Sequence, residues 1–136
     1  MRKEALDVRL LKRIARKKGD VFLREDFADL GGYDQVGRSL RLLVKKGRLL
    51  KIGQGLYARA VPSPFDGRPV PVKGVSRLVE EALERVGVRA RPTRLGRDYN
   101  EGRTTQVPTG RVVGVDRRVR RKIGYDGWQA TFERAR

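Results

Sequence analysis

Between the glycine pair Gly31-Gly32 and Gly47 runs the stretch YDQVGRSLRLLVKK, whose apolar residues fall on only one side of a helix. Val36, Leu40, Leu43 and Val44 recur at helical spacing and share one face. Arg38, Arg41 and Lys45 project from the opposite face, with Gln35, Ser39 and Lys46 on its flank. The spacing predicts a helix over 34–46 that packs its aliphatic side on a body and leaves its cationic side open. A DNA major groove is wide enough for one such helix. Immediately downstream, 49–53 and 55–59 read as two short strands around Gly53-Gln54-Gly55, a hairpin placed as a wing would be. The expected architecture is an N-terminal winged helix-turn-helix.

Two elements complete that region. Arg2–Lys18 carries Leu6, Leu10 or Leu11, Ile14 and Ala15 as an apolar stripe, with Arg9, Arg13, Arg16, Lys17 and Lys18 around it. Its bases crowd toward the C-terminal end, where they complement the helix dipole, and Gly19 is the expected stop. The stripe is needed to close a small core, which leaves no apolar face for a membrane surface. Val21-Phe22-Leu23 suits a short strand pairing with the hairpin. Arg24–Leu30 suits a brief helix with Phe27 and Leu30 inward, and Gly31-Gly32 a corner needing positive φ. Asp34 is placed at the next helix N-cap or in its first turn. Gly53-Gln54-Gly55-Leu56-Tyr57-Ala58 fits a dinucleotide-binding glycine pattern, but that site needs a helix after the turn, and Leu56-Tyr57 continues as strand.

A composition break follows. The segment Val61–Val72 holds four of the six prolines and is expected to link a domain at 1–60 to one at 73–136, with Phe65 docked on one of them. Beyond it, Val75, Leu78, Val79, Ala82, Leu83 and Val86 predict a second amphipathic helix. Glu80 and Glu84 lie on its exposed side, where a carboxylate pair is ordinary solubility rather than catalysis. A short helix at 94–100 and a strand at 111–115 follow. The end of the chain is expected to be a basic β-hairpin, with RRVRRK (117–122) and Ile123 on one strand, Asp126-Gly127 as the turn, and Trp128, Ala130 and Phe132 on the other. Arg117, Arg118, Arg120, Arg121 and Lys122 are either a second nucleic-acid patch or charges that keep an edge strand from aggregating. The fold class is α+β: a winged helix-turn-helix, then a small mixed α/β domain.

Charge narrows the function. The chain carries a net charge of +17, which favours a polyanionic partner. Up to Ala60 there are sixteen Lys and Arg against seven Asp and Glu, and beyond it seventeen against nine, so both halves carry the excess. With no Cys and no His, disulfides, cysteine-ligated zinc and histidine general-base chemistry are removed together. An enzyme would need a carboxylate cluster around Mg²⁺, and no pair such as Asp98 and Glu101 converges in sequence. No cofactor and no metal are expected. No run approaches a transmembrane span and no apolar signal core opens the chain, so a cytoplasmic, nucleoid-associated protein is expected.

Several of these motifs occur in a recognisable order. GQGLYAR at 53–59, TTQVP at 104–108, a short strand and a terminal basic hairpin resemble the antitoxin component of AbiE-type, or type IV, toxin–antitoxin systems, in particular its short stand-alone relatives. The resemblance runs from Ala15 to the C-terminus. It implies an autoregulating repressor that binds inverted repeats in its own promoter through double-stranded DNA contacts. It also implies a nucleotidyltransferase-like toxin as functional partner, countered without a stable complex. Carried onto this chain, the DNA-reading positions are Gln35, Arg38, Ser39 and Arg41, with the wing at Gln54. The wider set of expected contacts adds Lys45, Lys46, Lys51 and Arg59. An RNA-binding or ribosome-associated module is the alternative that charge alone supports equally, although RNA readers display stacked aromatics and most aromatics here fit core positions.

Overall fold

Two amphipathic helices and one long strand organise the first half of the chain. The computed structural model describes residues 4–107 and 112–134. Its backbone falls into two units, Met1–Val72 and Lys73–Arg136. Pro108 of the TTQVP motif and Arg111 of the strand expected at 111–115 lie outside the described residues.

In the first unit, α1 (Leu6–Arg16) and α2 (Tyr33–Lys45) close on a core of Leu10, Ile14, Phe22, Phe27, Val36, Leu40, Leu43, Leu49 and Tyr57, with Leu6, Leu11, Leu30 and Val44 at its margin. Each fully buried Leu or Phe contributes roughly 1.5–3 kcal/mol, so the α2 stripe is what fixes the rotation of that helix. Three strands, β1 (Val21–Leu23), β2 (Leu49–Gly53) and β3 (Leu56–Pro62), form an antiparallel sheet in the order β1-β3-β2. Val21 and Leu50 both lie opposite Ala58. Gly55, at φ 68°, makes the β2–β3 turn.

The connections depart from expectation in three places. First, α1 ends at Arg16 rather than Lys18, and its cap residue Lys17 is already extended (φ −77°, ψ 139°). Gly19 is therefore not the stop; the Arg59 guanidinium supplies donors to the last carbonyls instead, as described below. Second, the corner at Gly31-Gly32 uses no positive φ: Gly32 is the α2 N-cap at φ −64°. What matters at Gly31 is size, because a Cβ there would sit 3.2 Å from Leu6 Cδ2. Asp34 accordingly occupies the first helical turn. Third, only 24–27 of the expected Arg24–Leu30 helix is helical, as one 3₁₀ turn with Phe27 fully buried; the Asp26 carboxylate accepts from Leu23 N at 2.9 Å.

The proline-rich stretch 61–72 carries the end of β3 and a further strand, β4 (Pro69–Pro71), which pairs with β3 through Val61 and Val70. Prolines tolerate this position because an edge strand needs fewer donors. Phe65 is docked on nothing within its unit: it is 96% exposed. The loop is too tight to fold it back, with Gly67 N on Ser63 O at 2.9 Å and Arg68 N on Asp66 Oδ1 at 3.0 Å.

In the second unit, α3 (Val75–Arg85) buries Leu78, Val79, Ala82 and Leu83. Strands β5 (Ala90–Arg91), β6 (Val112–Val115) and β9 (Thr131–Arg134) form a sheet in the order β5-β6-β9, antiparallel then parallel. Between β5 and β6, α4 (Arg94–Asn100) is capped by Thr93, whose hydroxyl accepts from Gly96 N at 2.9 Å. The Glu133 carboxylate adds a second cap, accepting from Arg94 N at 2.7 Å. Strands β7 (Gly124–Tyr125) and β8 (Trp128–Gln129) pair as a hairpin whose turn places Asp126 at φ 53° and Gly127 at φ 80°. The terminal basic hairpin expected from sequence is corrected on two counts. Arg117–Lys122 precedes the hairpin on irregular backbone, and Phe132 leaves it for β9. Four residues of β9 find partners along β6, from Val112↔Thr131 to Val115↔Arg134, a longer ladder than the two-residue hairpin could offer them.

Candidate nucleic-acid interface

The face of α2 opposite the core is an open cationic surface. Gln35, Arg38, Arg41, Lys45 and Lys46 are exposed and Ser39 is half-buried. Among the described residues, Arg38, Arg41 and Lys45 make no ion pair, while Lys46 Nζ lies 3.3 Å from Asp7 of α1. Lys51 on β2 and Gln54 in the β2–β3 turn are exposed as well.

Arg59 does something else. Its Nε lies 3.0 Å from Asp20 Oδ1, and its Nη2 donates to the carbonyls of Ile14 (2.9 Å), Lys17 (3.1 Å) and Gly19 (3.2 Å). A guanidinium carries five donors and suits such a cluster of oxygens. Ile14 is in the last turn of α1, so Arg59 adds a side-chain donor at the helix end, where Ile14 O also accepts from Lys17 N at 3.2 Å. Sequence placed it among the DNA contacts because a base near a hairpin reads the same whichever side of the strand it leaves.

The β2–β3 turn is tied to the start of α2 by Arg24. The β1–β3 register sets Leu23 opposite Leu56, and the next amide, Arg24 N, donates to Gly55 O at 3.1 Å. The Arg24 guanidinium then lies over the Tyr33 ring, 3.4 Å from its centroid, and donates from Nη2 to the Tyr33 carbonyl. Gly37 makes room for it: a Cβ there would sit 2.3 Å from Arg24 Nη2. Arg24 Nε is buried with no hydrogen-bond partner among the described residues. The neighbouring Tyr57 phenol is pushed up by burial, against the charges of Arg24 and Arg41, which lower it. Tyr33, at 73% exposure, is the most open aromatic of this surface. Sequence reading missed the pair Arg24 and Tyr33. The available signal was Gly37, since a glycine inside a helix costs about 1 kcal/mol relative to alanine and so needs a packing reason.

Of the bases of α1, Arg9, Lys12 and Arg13 are held within the unit, while Arg16 is exposed. Arg9 donates to Leu30 O at 3.1 Å and Arg13 to Asp26 O at 3.1 Å. Arg13 also grips the Asp29 carboxylate with both terminal nitrogens, Nη2 to Oδ2 at 2.8 Å. Lys17 pairs with Asp26 at 3.6 Å and Lys12 with Glu4 at 2.6 Å. The Arg13 hydrogen bond holds the Asp29 carboxyl down to about 2, and the same bond raises Arg13.

In the second unit Arg117, Arg118, Arg120, Arg121 and Lys122 are all exposed, between half-buried Asp116 and buried Ile123. Arg117 Nε lies 3.5 Å from Asp116 Oδ1. No helix is long and apolar enough to cross a membrane, among the described residues.

Compared with known proteins, residues 9–60 match the AbiEi_4 family model, described as transcriptional regulator, AbiEi antitoxin. The matched stretch takes in most of α1, all of α2 and the β2–β3 hairpin up to Ala60. Searches of curated proteins and of solved structures return no match.

Proposed function

We propose, from the match of residues 9–60 to the model of the AbiEi antitoxin family of transcriptional regulators, that the chain is a DNA-binding repressor. The first unit acts as a winged helix-turn-helix with α2 as the recognition helix. Arg38 and Arg41 reach guanine edges in the major groove, a bidentate contact contributing roughly 1–3 kcal/mol of discrimination each. Gln35 and Ser39 flank them, while Lys45, Lys46, Lys51 and Gln54 meet the phosphate backbone and set register without reading sequence. The operator is an inverted repeat in the protein's own promoter. The second unit serves toxin neutralisation against a nucleotidyltransferase-like toxin, without a stable complex.

One observation carries the DNA reading. Arg38, Arg41 and Lys45 sit on one face of a helix whose other face is core, exposed and without ion pairs among the described residues. Unpaired like charges this close repel one another unless a polyanion approaches, and releasing its counterions then favours binding.

The test is binding of the purified chain to its own upstream DNA, to a scrambled duplex and to structured RNA, across a salt series. Tighter binding to the upstream duplex at every salt concentration is expected. Equal affinity for all three would remove the specific-repressor reading, and preference for the RNA would replace it.

A further inference from the structure

Tyr33 and Arg24 belong to the interface rather than merely beside it. Tyr33 opens α2, where amides without intrahelical partners and the helix dipole draw anions. It is 73% exposed, yet its ring is not loose, because the Arg24 guanidinium covers one side at 3.4 Å and bonds the Tyr33 carbonyl. A cation beside a helix N-terminus works against the dipole, and no carboxylate among the described residues pairs with Arg24. Gly37 is the third part, since any side chain there would evict the guanidinium. Tying Arg24 N to Gly55 O at 3.1 Å adds the wing turn to the same unit.

We propose that Tyr33 is a duplex-contact residue whose hydroxyl donates to a backbone phosphate, and that Arg24 is the residue that positions it. The inference rests on the DNA-binding reading above. Tyrosine hydroxyls are among the groups that bond DNA phosphates and so set register. A stacked arginine fixes the ring in advance, which lowers the ordering cost on binding.

The experiment is anisotropy binding of the full chain to upstream and scrambled duplexes across salt, with a thermal melt of each variant. Tyr33→Phe keeps the stacked ring and removes only the hydroxyl. It is expected to weaken both duplexes alike, by about threefold to tenfold, with the salt slope unchanged because no charge is lost. Arg24→Ala should weaken them similarly. Gly37→Ala should do the same while keeping both side chains, and an unchanged thermal melt will separate its effect from a failed fold. Combined with Tyr33→Phe, either change should add little, since positioning acts through the hydroxyl. Wild-type affinity for Tyr33→Phe, or losses that simply multiply in the double variants, would overturn the proposal while leaving the repressor reading intact. A wild-type chain that binds neither duplex would overturn both.

Discussion

The two helices of the first unit are built alike and use their charges in opposite ways. Both α1 and α2 bury an apolar stripe in one shared core and carry arginine and lysine elsewhere. On α1 most of the bases are committed to the protein, Arg9 to Leu30, Arg13 to Asp26 and Asp29, and Lys12 to Glu4, with Arg16 exposed. On α2, Arg38, Arg41 and Lys45 are left without ion pairs among the described residues. Equal charge thus does not mean equal role. A base paired within the fold orients a neighbouring segment, and a base left open is available to a partner.

The sharpest way to break this comparison is to remove what the helices share. Leu10 and Leu40 are both fully buried, so Leu10→Ala and Leu40→Ala should each cost about 2–5 kcal/mol of unfolding free energy in a denaturant titration. A markedly smaller loss at Leu10 would mean that α1 is peripheral to the core.

Next in size are the open bases. Arg38→Ala should lower preference for the upstream duplex over a scrambled one by roughly 1–3 kcal/mol, with stability changed by less than about 0.5 kcal/mol. Lys45→Ala should weaken all duplexes alike and lower the salt slope by about one unit. Preference surviving Arg38→Ala would mean that α2 is rotated differently on the duplex.

Arg59 sharpens the contrast from the other side. Arg59→Ala removes three carbonyl bonds and the Asp20 pair, and should cost about 1–2 kcal/mol of stability, discounted for partial exposure. Duplex binding by the folded fraction should be unchanged. A binding loss without destabilisation would return Arg59 to the interface.

The smallest effect is one of pH. Asp29 is held down to about 2 from an ordinary 3.8 by the Arg13 hydrogen bond. A lowered carboxylate contributes stability that is fully present above 3.8 and lost as pH falls toward 2. Thermal melts between pH 5 and 2 should therefore decline less steeply for Asp29→Asn than for wild type. Parallel curves would show that the Arg13 clamp does not persist in solution.

Why sequence reached α2 but not Arg24, Tyr33 or Arg59 follows from the range of the forces involved. A helical stripe such as Val36, Leu40 and Leu43 is written within one turn or two, and so are the Asp126-Gly127 turn and the short helix at 94–100. Arg59 meets Ile14 across forty-five positions and Arg24 meets Tyr33 across nine, from one element to another, so neither contact leaves a periodic mark. The same holds for β9, whose partner β6 is parallel and therefore distant in sequence. Phe65, expected to dock on a domain, is exposed instead.

Strand β3 has a consequence for how the first unit is made. Every strand of that unit pairs with β3, and β3 starts at Leu56. A ribosome that has released residues 1–55 has delivered both helices and two strands, but none of the sheet can zip up until the next seven residues emerge. Until those residues emerge, Val21-Phe22-Leu23 has no strand to pair with, so its apolar side chains gain their sheet partner only after most of the unit has been made.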